Sequence, residues 1–232
     1  MTGAGDALIS IVVPVFNEAT VLSTLLRQLR EIPGPCEIIV VDGGSTDETL
    51  ACARELADRS LVSPVAGRAV QMNRGAAEAQ GAILWFVHAD STLLGDPQAY
   101  RQVLSAGATW GFFPLRLAGS MPVFRILERA INWRSRLSSV ATGDQGIFVR
   151  RKHFLLLKGF AEQPLMEDVE LCKRLRRQAR PLVAGLPLQT ASRRWEHYGV
   201  VRTVVLMWRL RLLYFLGVSA QRLAAKYPRQ GA

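Results

Sequence analysis

Only three cysteines, Cys36, Cys52 and Cys172, are scattered through the chain of 232 residues. No two are spaced for a metal clip, and an odd, scattered set predicts reduced core thiols in a cytosolic protein. The opening stretch MTGAGDALIS lacks a basic region followed by an apolar run, so no signal peptide is expected. Internal repeats, low-complexity tracts and a convincing linker are also missing, which predicts one domain. Uninterrupted apolar runs are short. The longest candidate, VVRTVVLMWRLRLLYFLG at 200–217, is broken by Arg202, Arg209 and Arg211, which argues against a spanning helix on insertion cost. Arg202 and Arg209 share a helical face while Arg211 lies roughly opposite. Trp208, Tyr214 and Phe215 beside these arginines fit an interfacial helix against acidic lipid, and a packed C-terminal helix fits equally.

Acidic residues are scarce in the back half. Residues 121–232 carry 21 Lys+Arg against 7 Asp+Glu, a balance of +14, whereas residues 1–120 carry 8 against 12, a balance of −4. Positive charge confined to one half suggests an anionic partner, whether a phosphorylated ligand, an acidic membrane surface or nucleic acid. A solvated basic surface is the plain alternative. With 49% hydrophobic residues the chain can bury a core and is too apolar for a disordered segment.

What is present is an alternation of strands and helices. LISIVVPV (8–15) reads as a buried strand, followed by a helical stripe of Val21, Leu22, Leu25, Leu26 and Leu29. EIIVVD (37–42) is a second buried strand running into Gly43-Gly44-Ser45. Ser45 with Glu48 is a capping-box signature for the next helix. LVSPV predicts a short third strand, 68–80 a helix, and AILWFV (82–87) another buried strand. Further on, 122–137 reads as a helix carrying Val123, Ile126, Leu127, Ala130, Ile131 and Arg134, and GIFVRR (146–151) as a strand after a turn. Residues 168–178 read as an amphipathic helix with Val169, Leu171, Cys172 and Leu175 inward. This order predicts a mostly parallel sheet flanked by helices, in which ligands bind beyond the carboxyl ends of the strands. Those ends hold Asn17-Glu18, Asp42-Gly43-Gly44 and His88-Ala89-Asp90.

Each cluster has a chemical and a structural reading. His88 and Asp90 close a strand one residue apart, which puts both on one side of an extended chain. A divalent ion on a diphosphate needs few protein ligands, and the histidine shifts preference toward Mn²⁺; a helix cap plus a stray histidine is the alternative. Asp42 fits either a contact to a base or ribose or turn chemistry. Glu167-Asp168 fits a general base for an acceptor hydroxyl or an acidic helix start favoured by the macrodipole. Spacing leaves these open.

The ordered set IVVPVFNEA (11–19), VVDGGSTDET (41–49), GRAVQMNRGA (67–76), FVHAD (86–90), TGDQGIFVRR (142–151) and PLMEDVEL (164–171) resembles glycosyltransferase family 2, of the GT-A fold, from about residue 8 to 217. The variant forms GRAxQMNxGA, HAD, ATGDQ, MEDVEL and SRRWEHYG are similar to a small bacterial subgroup labelled arsenosugar-biosynthesis or, in some members, carotenoid (diaponeurosporenoate) glycosyltransferases. The resemblance implies an α/β, GT-A type fold: a nucleotide-binding half at about 8–120, an acceptor and catalytic half at about 121–198, and a C-terminal helical segment at about 199–232. It implies a nucleotide site around Pro14, Asn17, Glu18 and Ala89, with Asp42 on the base and Arg68 and Asn73 near base and phosphates. His88 and Asp90 would hold the metal, the histidine departing from the family's DxD pattern. Asp168 in the Glu167-Asp168 pair would be the base, and Asp144 and Gln145 would face acceptor or donor sugar. Arg193, Arg194 and Trp195 resemble an element that approaches the diphosphate, although Ser192 stands where the family's glutamine is expected.

The implied activity is inverting transfer from a nucleoside-diphosphate sugar, UDP-linked by preference, to a hydroxyl or carboxyl of a small-molecule or lipid acceptor, with Mn²⁺ or Mg²⁺ as cofactor. A sugar nucleotidyltransferase would open with a glycine-rich, basic phosphate loop where PVFNEA stands. A non-catalytic basic module binding acidic lipid or nucleic acid is the third class, but no nucleic-acid motif is present and nucleic acid is not expected as a partner. The expected location is cytoplasmic, with peripheral contact at the inner face of the cell membrane through the basic C-terminal helix left open.

Overall fold

The computed structural model describes residues 7–192 and 199–225. Its first half follows the expected alternation: β1 (Ile9–Val15), α1 (Ala19–Arg30), β2 (Cys36–Asp42), α2 (Thr49–Leu56), β3 (Arg59–Val62), α3 (Arg68–Glu78) and β4 (Ile83–Phe86). These strands lie side by side as β3-β2-β1-β4, all parallel. The sheet continues through β8 (Phe148–Arg150), β6 (Trp110–Phe112) and β9 (Leu182–Val183). There β8 runs antiparallel to β4 and β6, and β9 parallel to β6. A second sheet of three short strands holds β5 (Ser91–Leu93), β10 (Leu188–Thr190) and β7 (Leu115–Leu117).

Because successive side chains on a strand point to opposite faces, the buried runs of β1 and β2 split between two cores. Ile11, Val13, Ile38 and Val40 face the leucines of α1. Val12, Ile39 and Val41 face Ala69, Met72 and Ala76 of α3, together with the inward stripe of α7 (Glu167–Leu175). Strands buried on both faces are the reason the sequence shows continuous apolar runs there rather than alternation. In α3, Gly75 is required by close approach, since a Cβ would sit 2.5 Å from Val12 Cγ1.

The remaining helices are α4 (Pro97–Leu104), α5 (Pro122–Ser138), α6 (Arg151–Leu156), α8 (Val200–Phe215) and α9 (Ala220–Ala224). None among the described residues is long and apolar enough to cross a membrane. Two local expectations change. α2 begins at Thr49 rather than after a Ser45–Glu48 capping box, because Ser45 is engaged by Asp42; Asp47 instead accepts from the Thr49 N–H. In α5 the buried positions are Phe124, Glu128 and Ser135, while Val123 and Ile126 of the predicted stripe are exposed. The three cysteines are free thiols.

Candidate active site

The carboxyl ends of the central strands open into a cleft of about 1080 Å³, counting its open mouth. Segments far apart in sequence supply its walls. Glu18 follows β1, Arg68 opens α3, His88 and Asp90 follow β4, and Thr142, Gly143 and Asp144 form the turn before β8. Met166, Glu167 and Asp168 form the start of α7, Thr190 and Ala191 end β10, and Thr203, Met207 and Arg211 come from α8.

Asp168 is fixed by two backbone donors. Its Oδ2 accepts from the Gly143 N–H at 2.8 Å and its Oδ1 from the Val169 N–H at 2.6 Å, which ties α7 to the 142–145 turn. The helix enters through Met166, a buried residue at φ 66°. Left-handed backbone in a bulky side chain is costly and tends to persist where function requires it. Glu167 is buried, and its carboxyl is pushed up to about 7, first by desolvation and then by the charge of Asp168; Arg68 and His88 pull the other way. Behind them Cys172 is fully buried. Burial, then Asp168, push its thiol up to about 12, so it is protonated and unsuited to act as a nucleophile.

His88 and Asp90 both reach the cleft, although they lie in a turn after β4 rather than on an extended strand. His88 Nδ1 meets Asp144 Oδ1 at 3.1 Å. Its other edge packs on Gly143, where a Cβ would lie 2.5 Å from Cε1 and 2.6 Å from Nε2. Gly143 thus leaves room for the imidazole that a larger residue would take. Asp90 Oδ2 accepts from the Thr190 hydroxyl at 3.3 Å. Among the described residues no group of three or more His, Cys, Asp and Glu side chains is arranged to hold a metal ion. This donor set does not make a closed cage. It fits a hard divalent ion anchored by the Asp90 carboxylate that takes most of its oxygen ligands from a diphosphate.

Arg211, which the sequence pattern sets apart from Arg202 and Arg209, turns into the cleft, whereas those two are exposed. Burial lowers its pKa, opposed by the charges of Asp168 and Asp144. Arg134 of α5 lies near it; burial first, then Arg211, bring its pKa down to about 10.

Several expected site residues have other work. Asp42 is 2% exposed, lies off the cleft wall, and accepts from the Gly44 and Ser45 N–H groups at 3.1 and 3.0 Å, so its carboxylate closes the turn after β2. Asn73 pins the Phe160 backbone in both directions, donating to its carbonyl at 2.9 Å and accepting from its N–H at 2.8 Å. Gln145 is completely buried; its amide oxygen accepts from the Ser135 hydroxyl at 2.8 Å and the Thr142 N–H at 3.0 Å. It shapes the turn that carries Asp144. Pro14 is buried within β1 and Ala89 is buried in the turn after β4. Asn17, at φ 53°, accepts from the Thr46 N–H at 2.9 Å and so joins the loops after β1 and β2. Arg193, Arg194 and Trp195 lie outside the described residues.

Sequence reasoning missed Gln71, Thr190, Thr203 and Met207. Gln71 is buried and its amide donates to the carbonyls of Val15 and Val41, both at 2.8 Å, which locks the ends of β1 and β2 beneath the loops. It stands in the GRAVQMN segment, whose mixed polarity in a helix is a readable signal. Thr190 carries none, because its role comes from pairing across the second sheet.

Residues 10–110 match the model of glycosyl transferase family 2. A PGL/p-HBAD biosynthesis glycosyltransferase of Mycobacterium bovis is 39% identical over 93 residues, covering 37% of this chain and 36% of that protein. The match thus spans about a third of the curated relative. Among solved structures, a mannosyltransferase from Pyrobaculum calidifontis in complex with GDP-Man and Mn²⁺ has a TM-score of 0.66 at 19% identity, covering 97% of this chain and 66% of that one. S. aureus TarS 1-349 in complex with UDP has a TM-score of 0.64 at 18% identity, with 79% and 60% coverage. At these identities the structures show the fold, which is of the GT-A type.

Proposed function

We propose that this chain, which belongs to glycosyl transferase family 2 through residues 10–110, moves a sugar from a nucleoside-diphosphate donor to a nucleophilic oxygen of an acceptor, with inversion. The observation that carries this reading is the convergence of Asp90, Arg68 and the Glu167-Asp168 pair on one cleft. Anion-binding and proton-accepting groups line the same open cleft. The donor is assigned to the 8–120 segment and the acceptor to the 121–198 segment with α8, so the reacting carbon lies where the two meet.

Asp168 takes the proton of the acceptor O–H as that oxygen forms its bond to the anomeric carbon. The bond from that carbon to the phosphate oxygen breaks, and its electron pair leaves with the nucleoside diphosphate. The paired N–H donors on Asp168 hold the carboxylate in place, so little reorganisation is needed at the moment of transfer. Arg68 and Arg211 place positive charge on two sides of the cleft, where charge-assisted hydrogen bonds offset the developing diphosphate charge. A divalent ion on Asp90 would add Lewis-acid neutralisation of that leaving group; the Mn²⁺ in the Pyrobaculum mannosyltransferase structure supports Mn²⁺ or Mg²⁺. His88 lines the same wall with its Nδ1 paired to Asp144, and is the second candidate ligand beside Asp90. UDP is the favoured nucleotide, and UDP in the TarS structure supports it. The test is a thermal-shift scan with UDP, GDP, CDP and dTDP, each with and without Mn²⁺ or Mg²⁺. Metal-dependent stabilisation by one diphosphate is expected; indifference to all of them would refute the donor site.

A further inference from the structure

The cleft uses one face of α8 and leaves another bare. Thr203, Met207 and Arg211 face the site, and Leu210 is buried in the core. On the other side Val201, Val205, Trp208, Leu212 and Phe215 recur at helical spacing, all exposed, with Trp208 at 72%. Arg202 and Arg209, also exposed, run along one edge of this stripe seven residues apart. α5 repeats the pattern. Ile126, Trp133 and Leu137 are each about two-thirds exposed, and Arg129 and Arg136, again seven apart, are exposed beside them. The two helices meet where Val200, Leu127 and Ile131 pack on one small cluster with Phe124. No Asp or Glu occurs in α8, and the only one in α5, Glu128, is buried.

Exposed tryptophans, branched apolar side chains and arginines without neighbouring carboxylates on the same helical faces do not suit a water-facing surface. A protein partner would need to match two apolar stripes and their arginine edges. A bilayer supplies both at once, acyl chains for the stripes and anionic headgroups for the arginines. We propose that the exposed faces of α5 and α8 form a peripheral docking surface for an anionic membrane, with the cleft on the opposite side of α8. Docking would hold the transfer site within one helix width of an acceptor carried on the bilayer.

Flotation of the full chain tests this, using vesicles of phosphatidylcholine alone and of equal parts phosphatidylcholine and phosphatidylglycerol. The chain should float with the anionic vesicles, and high salt should weaken binding. Replacing Arg202 or Arg209 by Gln should reduce the partition about fivefold each. Trp208→Glu combined with Leu212→Glu should reduce it about tenfold or more with unchanged thermal unfolding, since both sites are exposed. A chain that stays below the anionic vesicles overturns the proposal, as does binding that survives the Trp208→Glu/Leu212→Glu change. Sedimentation showing a dimer that Trp208→Glu dissociates, without vesicle binding, would give the face to a second copy instead. No substrate enters the measurement, so its failure leaves the transferase reading standing.

Discussion

Glu167 and Asp168 are adjacent in sequence but sit in different electrostatic conditions. Asp168 has a backbone N–H on each oxygen, and Glu167 is buried against its neighbour's charge. Replacing Asp168 by Asn keeps the shape and removes the proton acceptor. Transfer should fall by about 10²–10⁴-fold while diphosphate binding is kept; turnover near the parent rate would remove Asp168 from the role. For Glu167 the sign follows from its raised value of about 7 against an ordinary 4.5. Between those pH values the folded chain holds a proton that the unfolded chain has lost, so stability falls as pH rises through the window. Glu167→Gln removes that loss. Its melting temperature should exceed the parent's above pH 7, with the difference vanishing below about pH 4.5; a constant offset across pH would contradict the burial argument. At this scale the sequence pointed to carboxylates that the fold brings to the cleft but could not rank their surroundings. Asp42, Asn73 and Gln145 carry the chemistry a donor or sugar site needs, and only the structure shows the hydrogen bonds by which each also holds the local fold.

The elements most legible in the sequence were those with long apolar periods: β1, β2, β4, α1 and α7. The strands β6, β7, β9 and β10 have two or three residues each, too few to show any period. They also pair over long distances, and this is how Thr190 comes to hold Asp90. The start of α2 was misplaced for a local reason, since Ser45 had a stronger partner in Asp42 than any helix N–H. Long-range pins join these elements. Asn73 links α3 to the Phe160 segment by two bonds, so Asn73→Ala leaves a partly buried N–H and C=O without partners. Urea unfolding should show a loss of about 1–3 kcal/mol, with diphosphate affinity within about twofold of the parent. Lost affinity at unchanged stability would restore Asn73 to the donor site.

For the whole molecule, the charge asymmetry resolves into two separate uses. Arg211, with Arg134 behind it, serves the cleft, while Arg129, Arg136, Arg202 and Arg209 stand on exposed helix faces. Composition alone could give the sum but not this division, which depends on how α8 is rotated against the core. The cleft itself is assembled from both halves, so donor binding should stabilise the fold as a unit. At a free diphosphate concentration about a hundredfold above Kd, binding to the folded state alone adds about 2.7 kcal/mol. That moves Tm by roughly 5–10 °C for a chain of this size. If the metal is anchored through Asp90 and the diphosphate, Asp90→Ala should remove the metal-dependent part of the shift, whereas Asp168→Asn should keep all of it. Equal loss in both variants would mean that the carboxylates support the cleft's shape rather than separate steps. Loss in Asp90→Ala alone separates donor anchoring from proton transfer, two roles joined by a fold in which β4 ends and α7 begins at the same opening.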